Sequence, residues 1–270
     1  MGDRWYTQAF GAHYPLLYRH RDAAEAERCL DLLPRLAPLT WAPGQAILDL
    51  GCGDGRHLEI LAGQGRRAVG LDLSDPLLRS AQVRIFGEDP PALVRGDMRR
   101  LPFRPGSFSA VLSLFTAFGY FESPAANREP VQEVTRVLLP GGHWFLDYFD
   151  ADRVRAELSI EASSVRVREL GPLSIREERG LGLGNACVTK QVRLEPLPGN
   201  KEQAAVWGIP SAGLEYTESV ALFTLEELDA MAAAHSLKRV AAAGGYAGEP
   251  LGSGSRWILV FRKSSKDDIV

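Results

Sequence analysis

At 270 residues the chain can bury a substantial core, as one large domain or as one domain with an insertion. With 45% hydrophobic and 24% charged residues, a net charge of −3 and no run of lysine or arginine, its composition argues against a nucleic-acid grip or a membrane-surface role, and no apolar run is long enough to span a bilayer. Cys29, Cys52 and Cys187 are too few and too far apart for a disulfide framework or a zinc site, and MGDRWYTQAF lacks an apolar signal segment, so a cytoplasmic protein without a metal is expected.

The opening segment carries Trp5, Tyr6, Phe10, Tyr14 and Tyr18. A helix is predicted over 22–33 with Ala26, Cys29, Leu30 and Leu33 on one face, and Pro34, Pro38 and Pro43 separate it from a first strand near 46–51. A helix follows over 55–63, then a second strand near 67–72, a helix N-capped by Ser74, a third strand near 92–95 and a fourth near 108–114. Ser123 and Pro124 start another helix, Leu-Pro-Gly-Gly at 139–142 ends it, and HWFLDYFD is the fifth strand. Strands alternating with helices predict a parallel sheet covered on both faces.

Between 158 and 223 the period changes to two. SVRVREL, LSIREERG, ACVTKQVRLEP and LEYTESVALF, with turns at Gly171-Pro172 and Gly184-Asn185, predict a small inserted antiparallel β-sheet; 197–212 reads as a longer loop with Pro and Gly. Thr224 and Glu227 form a capping box for the next helix, and LKRVAAAGGY and SRWILVFRK read as two final strands. The expected organisation is an N-terminal helical segment over 1–40, an α/β domain over 41–157 and 224–263, the insertion over 158–223 and a frayed tail over 264–270.

The most informative stretch is AILDLGCGDG at 46–55. A buried strand there enters a turn where Gly51, Gly53 and Gly55 let backbone approach a ligand, and the next helix aims its free N–H groups at the same place. A dinucleotide loop requires a third glycine where this chain has Arg56, so that pattern fails. Asp49 at the strand end would repel a pyrophosphate and suits a cation. Asp72 closes the second strand, where a carboxylate can accept from two ribose hydroxyls or simply cap the following helix. Asp97, in RGDM, could accept from an adenine amino group while Met98 packs on the ring, although Gly-Asp is also common in plain turns.

DLGCGDGRH, GLDLS, GDM, SLFTAFGYF and LLPGGHWFLDY, in this order and spacing, resemble the class I S-adenosylmethionine-dependent methyltransferases over roughly 40–150 and 224–263. The aromatic N-terminus and the insertion are similar to a subgroup of small, soluble bacterial and archaeal members. The resemblance implies a doubly wound, Rossmann-like methyltransferase sheet in the α/β class, mostly parallel, with SRWILVFRK as its antiparallel last strand. It also implies S-adenosyl-L-methionine as cofactor. Asp49, Gly51 and Gly53 would line its methionine part, Asp72 would bind the ribose with Leu73 beside it, Asp97 and Met98 would hold the adenine, and Leu114 would cover the sulfonium side.

Methyl transfer from a sulfonium is an in-line displacement in which a general base is optional, so no catalytic residue needs to stand out and none does. Ligands of such sheets lie beyond the carboxyl ends of the strands. Substrate-side candidates are therefore Tyr120, Tyr148 and Tyr216, with Tyr14 and Arg21 from an N-terminal segment that either packs on the domain or folds over the cofactor as a lid. His57 either contacts ligand or faces the sheet, His143 has a packing role, and Cys52 reads as a small buried residue rather than a nucleophile. An insertion covering the substrate end favours a small-molecule acceptor of a methyl group on N or O, and a monomer or homodimer without nucleic acid or membrane. A protein or nucleic-acid methyltransferase and a non-catalytic cofactor-binding module are the competing readings.

Overall fold

The computed structural model describes residues 5–18, 23–37, 45–85, 87, 89–160 and 164–265. In chain order these form α1 (Trp5–Ala9), α2 (Tyr14–Leu17), α3 (Ala23–Leu36), β1 (Ala46–Leu50), α4 (Arg56–Gly63), β2 (Ala68–Asp72), α5 (Asp75–Arg84), β3 (Ala92–Arg95) and β4 (Phe108–Ser113). There follow α6 (Pro124–Val137), β5 (Leu138–Phe149), α7 (Ala151–Ile160), β6 (Ser164–Leu170), β7 (Leu173–Gly182), β8 (Cys187–Pro196) and α8 (Lys201–Val206). The last elements are β9 (Leu214–Ala221), α9 (Leu225–Ala233), β10 (Leu237–Ala243) and β11 (Arg256–Lys263). The chain divides into two compact units, Arg21–Asp150 with Thr224–Val270, and Met1–His20 with Ala151–Phe223. Among the described residues, no helix is long and apolar enough to cross a membrane.

The larger unit holds a seven-stranded sheet in the order β10-β11-β5-β4-β1-β2-β3. Only β11 runs against its neighbours, as the family resemblance implied. Central strands covered on both faces must be apolar throughout. Accordingly Ile47 and Leu48 of β1, Ala110–Leu112 of β4 and Trp257–Phe261 of β11 are buried. Side-chain caps fix the helix starts: Ser74 accepts from the Leu77 N–H, Ser123 from the Ala126 N–H, and Thr224 with Glu227 completes the capping box. The chain steps from β1 to β2 to β3, then returns to place β4 on the other side of β1. At such a reversal the loops leave in opposite directions, and open α/β sheets take their ligands at this place, here the carboxyl ends of β1 and β4.

Three local expectations are corrected. Leu-Pro-Gly-Gly follows the helix end at Val137, but the fifth strand begins at Leu138 and not at HWFLDYFD: Leu138 pairs with Phe108 and His143 with Ala110, so residues 139–142 bulge out within β5 opposite Ser109. Residues 158–160, read as the start of the period-2 region, belong instead to a helix, α7 (Ala151–Ile160), which buries Ala151, Val154 and Leu158 on one face. The stretch read as a loop over 197–212 contains α8, whose single buried residue, Ala204, leaves no periodicity to read.

The smaller unit is a four-stranded antiparallel sheet, β6-β7-β8-β9. Its hairpins turn at Gly171-Pro172 and around Gly184-Asn185, as predicted. Alternation puts Ile175, Leu194 and Leu214 across one face, and the next rungs of that face carry Glu177, Val192 and Tyr216, then Lys190 and Glu218. The N-terminal helices lie on this face: α1 packs on β9, and the Tyr18 hydroxyl accepts from Lys190. Trp5, Phe10, Tyr14 and Tyr18 form a ladder of rings with successive centroids 5.8, 5.0 and 4.7 Å apart.

Candidate functional site

The turn after β1 is clamped from β2. The Gly51 and Cys52 N–H groups donate to the Leu71 carbonyl at 2.8 and 3.1 Å, and the Gly53 N–H donates to Asp72 Oδ2 at 2.9 Å. Asp72 Oδ1 accepts from the Ser74 N–H at 2.8 Å. Ser74, not Asp72, is the side chain that caps α5, so Asp72 serves the loop.

The three glycines of the loop divide into two kinds. A Cβ on Gly51 would stand 2.8 Å from Ala117, and one on Gly55 would stand 2.7 Å from Ile85 and 2.9 Å from Ala81. The space beside both is filled by protein. Gly53, at φ +54, has its nearest neighbour, Leu77, at 4.0 Å. Of the three, only Gly53 leaves room for another molecule. Cys52 is buried over Gly70, where a Cβ would meet its sulfur at 2.8 Å and also strike Leu58. Burial pushes its thiol well above the usual range, consistent with a packing residue.

Asp49 is 1% exposed, and its Oδ2 has no hydrogen-bond partner among the described residues. Burial, reinforced by the charge of Asp72 and opposed by Arg56, pushes its carboxyl up to about 7. A buried carboxyl group with a bare oxygen fits a ligand that brings a cationic, hydrogen-bonding group, as an α-ammonium does. Asp72 is also raised by burial, against the hydrogen bonds from Ser74, Gly53 and Leu73 that favour its charged form. Asp97 follows β3, where the Gly96 N–H donates to the Asp72 carbonyl. Arg99 holds both Asp97 oxygens, Nε at 3.0 Å and Nη2 at 2.6 Å. Asp49, Asp72 and Asp97 thus stand at the ends of three adjacent strands. Met98 is half-buried beside them, Leu73 is exposed, and Leu114 is buried in the core with Leu112.

Beyond β4 the backbone does something the sequence did not announce. Phe115 and Thr116 both adopt positive φ, 55° and 61°, a region that costs L-residues about 1–2 kcal/mol each. Asp147 of β5 holds them there. Its Oδ2 accepts from the Phe115 N–H at 2.8 Å and from the Tyr246 hydroxyl at 2.6 Å, and its Oδ1 accepts from Arg256 Nε at 2.7 Å. Its carbonyl accepts from the Thr116 N–H at 2.9 Å. The Phe115 ring lies under the Arg56 guanidinium, 3.7 Å from centroid, and 5.5 Å from the His57 ring. Arg56 also pairs with Glu25 at 3.3 Å. Burial and then Arg56 hold His57 neutral, with a pKa down at about 3, and its Nε2 has no partner among the described residues. The signal for Asp147 was one carboxylate in an otherwise apolar strand, FLDYF.

The substrate-side candidates are not gathered by one element. Tyr120 is half-buried in the loop after β4. Tyr148 is wholly buried and packs on Phe118 and Phe149. Tyr14 and Tyr216 belong to the smaller unit. Arg21 and His20 lie outside the described residues. His143 is half-buried in β5, 6.2 Å from the Phe145 ring.

A family model described as a methyltransferase domain matches residues 47–142. The dTDP-3-amino-3,4,6-trideoxy-alpha-D-glucopyranose N,N-dimethyltransferase of Streptomyces venezuelae is 34% identical over 184 residues, covering 64% of this chain and 70% of the relative. The cypemycin N-terminal methyltransferase of a Streptomyces species is 29% identical over 221 residues, covering 80% and 82% of the two chains. Among solved structures, S-adenosylmethionine-bound CalS10, an amino pentose methyltransferase from Micromonospora echinaspora involved in calicheamicin biosynthesis, superimposes with a TM-score of 0.66 at 24% identity, over 93% of this chain and 96% of that one. The chain belongs to the class I S-adenosylmethionine-dependent methyltransferases and is an enzyme that draws its methyl group from that cofactor.

Proposed function

We propose that the enzyme methylates an amine nitrogen of a small-molecule acceptor, of the amino-sugar kind. The observation that carries this reading is the 34% identity to a sugar N,N-dimethyltransferase across most of that relative's length. Bound S-adenosylmethionine supplies an electrophilic methyl group on a sulfonium. The chain has then to align the acceptor nitrogen, keep water away and bind the donor. Asp49 is assigned the α-ammonium, which its buried, bare oxygen supports. Gly53 is assigned the close approach, and Gly51 shapes the turn behind it. Asp72 is assigned the ribose hydroxyls, with Leu73 beside them. Met98 is assigned a face of the adenine, and Leu114 backs the sulfonium side. An adenine amino group reaching Asp97 must share a carboxylate that Arg99 already engages. A neutral amine needs no base to attack, which accords with the lack of a charged catalytic pair in the motifs. The buried free thiols Cys29, Cys52 and Cys187 support a reducing, cytoplasmic setting.

The test is transfer to the dTDP-linked 3-amino sugar named above, read by mass spectrometry against a matched 3-hydroxy sugar. Addition of one or two methyl groups to the amino compound alone is expected. Transfer to the hydroxy compound alone would overturn the nitrogen assignment. A second reading, a peptide N-terminal amine, is favoured by the match to the cypemycin methyltransferase over 80% of this chain and 82% of that one. A short peptide with a free N-terminus belongs in the same assay.

A further inference from the structure

The segment between β3 and β4 carries Asp97 and Met98, and α6 fastens its far end. The Leu101 N–H donates to Glu133 Oε2 at 2.6 Å, and Arg136 donates to the Leu101 and Phe103 carbonyls at 2.9 and 2.7 Å. Arg136 also pairs with Glu133 at 2.7 Å. Both residues stand on α6, so the backbone over 101–103 is held by a helix.

The near end is held through side chains. Asp97 Oδ1 accepts from the Arg99 N–H at 2.9 Å and from Arg99 Nε at 3.0 Å, and Oδ2 accepts from Nη2 at 2.6 Å. A two-pronged grip of this kind fixes the plane of a carboxylate, which a single contact leaves able to turn. The guanidinium in turn lies over the Phe121 ring, 4.5 Å from its centroid. Phe121 is pinned by Asn127, a residue of α6 that is 1% exposed. Asn127 Oδ1 accepts from the Phe121 N–H at 3.2 Å, and its Nδ2 donates to the Phe121 and Ser123 carbonyls at 2.6 and 3.0 Å. Contacts thus run from α6 through Asn127, Phe121 and Arg99 to Asp97, all within the larger unit.

A carboxylate tells an amino group from an oxo group by direction. The first brings an N–H to the oxygen, and the second brings a like partial charge. The Asp97 side chain is 33% exposed, so without the Arg99 fork it could turn to water and the distinction would relax. We propose that Arg99, seated on Phe121, sets the selectivity of the donor site for adenine by orienting Asp97 toward the exocyclic amino group. Arg99 and Phe121 are positioning residues, acting through Asp97. The inference rests on the assignment of adenine to Asp97 and Met98 and does not depend on the nature of the methyl acceptor.

Two ligands that differ only at that group test it: S-adenosylhomocysteine and its 6-oxo analogue, S-inosylhomocysteine, with both affinities read by calorimetry. The wild-type enzyme should prefer the adenine compound by about tenfold or more. Arg99→Met keeps the stem and removes the fork, and should bring the preference down to about threefold or less. Arg99→Lys should do the same, because one ammonium cannot hold both oxygens in a plane. Phe121→Leu should cut the preference by about two- to fivefold, the scale of a lost cation–π contact, and Phe121→Tyr should keep it. Arg136→Met loosens the far end, so it should weaken both ligands about equally and leave their ratio in place. That contrast separates orientation of Asp97 from general support of the segment. A wild-type ratio in Arg99→Met and Arg99→Lys would overturn the inference, as would equal losses in Phe121→Leu and Phe121→Tyr. A wild-type enzyme that binds the two ligands equally would overturn the adenine assignment itself, and this inference with it, while leaving the amine-acceptor reading untouched.

Discussion

Two buried aspartates end strands of the same sheet, and their surroundings differ in one respect. Asp147 has both oxygens engaged, by the Phe115 N–H, Tyr246 and Arg256. Asp49 keeps one oxygen bare. A buried carboxylate with every lone pair answered is a structural part, and one left open is a place for a ligand. The contrast predicts opposite responses to the same change of chemistry. Asp147→Asn takes the counter-charge from Arg256, whose side chain is 26% exposed, and releases the left-handed pair Phe115 and Thr116. We expect a loss of about 3 kcal/mol in stability by denaturant titration, near the low end for a broken buried pair because Arg256 keeps some solvent contact. An unchanged midpoint would show that Asp147 is not the anchor of that segment.

Asp49→Asn should do the reverse to the ligand-free protein and raise its melting temperature, since a costly buried charge is removed. It should also weaken S-adenosylmethionine binding about a hundredfold, the scale of a lost charge-assisted hydrogen bond in a buried site. Calorimetry on the same sample reads both. Stabilisation without loss of affinity would break the comparison by making Asp49 a merely tolerated burial.

The two aspartates were not equally legible. Asp49, Asp72 and Asp97 each sit in a contiguous strand-end motif, so local order was enough to place them and to distinguish a cationic nucleoside from a dinucleotide. Asp147 meets Tyr246 and Arg256 only because β11 pairs antiparallel with β5, a juxtaposition across about a hundred residues that no window contains. Phe115 and Thr116 are not residue types that announce a positive φ. The His13–Tyr216 ring contact is non-local in the same way: an N-terminal helix start meets the fourth strand of the insertion's sheet. The glycine loop was legible as a tight turn after a buried strand, but the composition of a G-x-G-x-G run does not say which glycine is closed off by Ala117 or by Ala81 and Ile85.

That division of glycines gives the next test. Gly55→Ala places a methyl group 2.9 Å from the Ala81 Cβ at φ +81, so strain and overpacking add. A loss of about 2–3 kcal/mol in stability is expected. Gly53→Ala meets nothing closer than 4.0 Å, and only its φ of +54 is penalised, by about 1 kcal/mol. Its larger effect should be on cofactor affinity, because the added methyl group occupies the open side. If both variants lose stability and affinity in the same ratio, the loop acts as one unit and the distinction between packed and open glycines fails.

The smallest effect, and the most specific, is the pH dependence of binding. In the cofactor-free protein the Asp49 carboxyl is held up at about 7, so a proton is partly bound near neutral pH. An ammonium beside it favours the carboxylate and lowers that pKa, so binding expels the proton. Affinity should therefore fall as pH drops below about 7, by at most tenfold per pH unit, and level off above. Stability of the ligand-free protein should run the other way. The folded value lies above the ordinary 3.8, so the native state holds the extra proton, and stability declines as pH rises from about 4 to 7. Asp72, also raised by burial, adds to this decline in the same sense. Calorimetry from pH 5.5 to 8 in two buffers of different ionisation enthalpy measures the proton released. Asp49→Asn should abolish most of that release and flatten both curves together, whereas Asp147→Asn, whose carboxylate is already paired, should leave the slope of binding against pH in place.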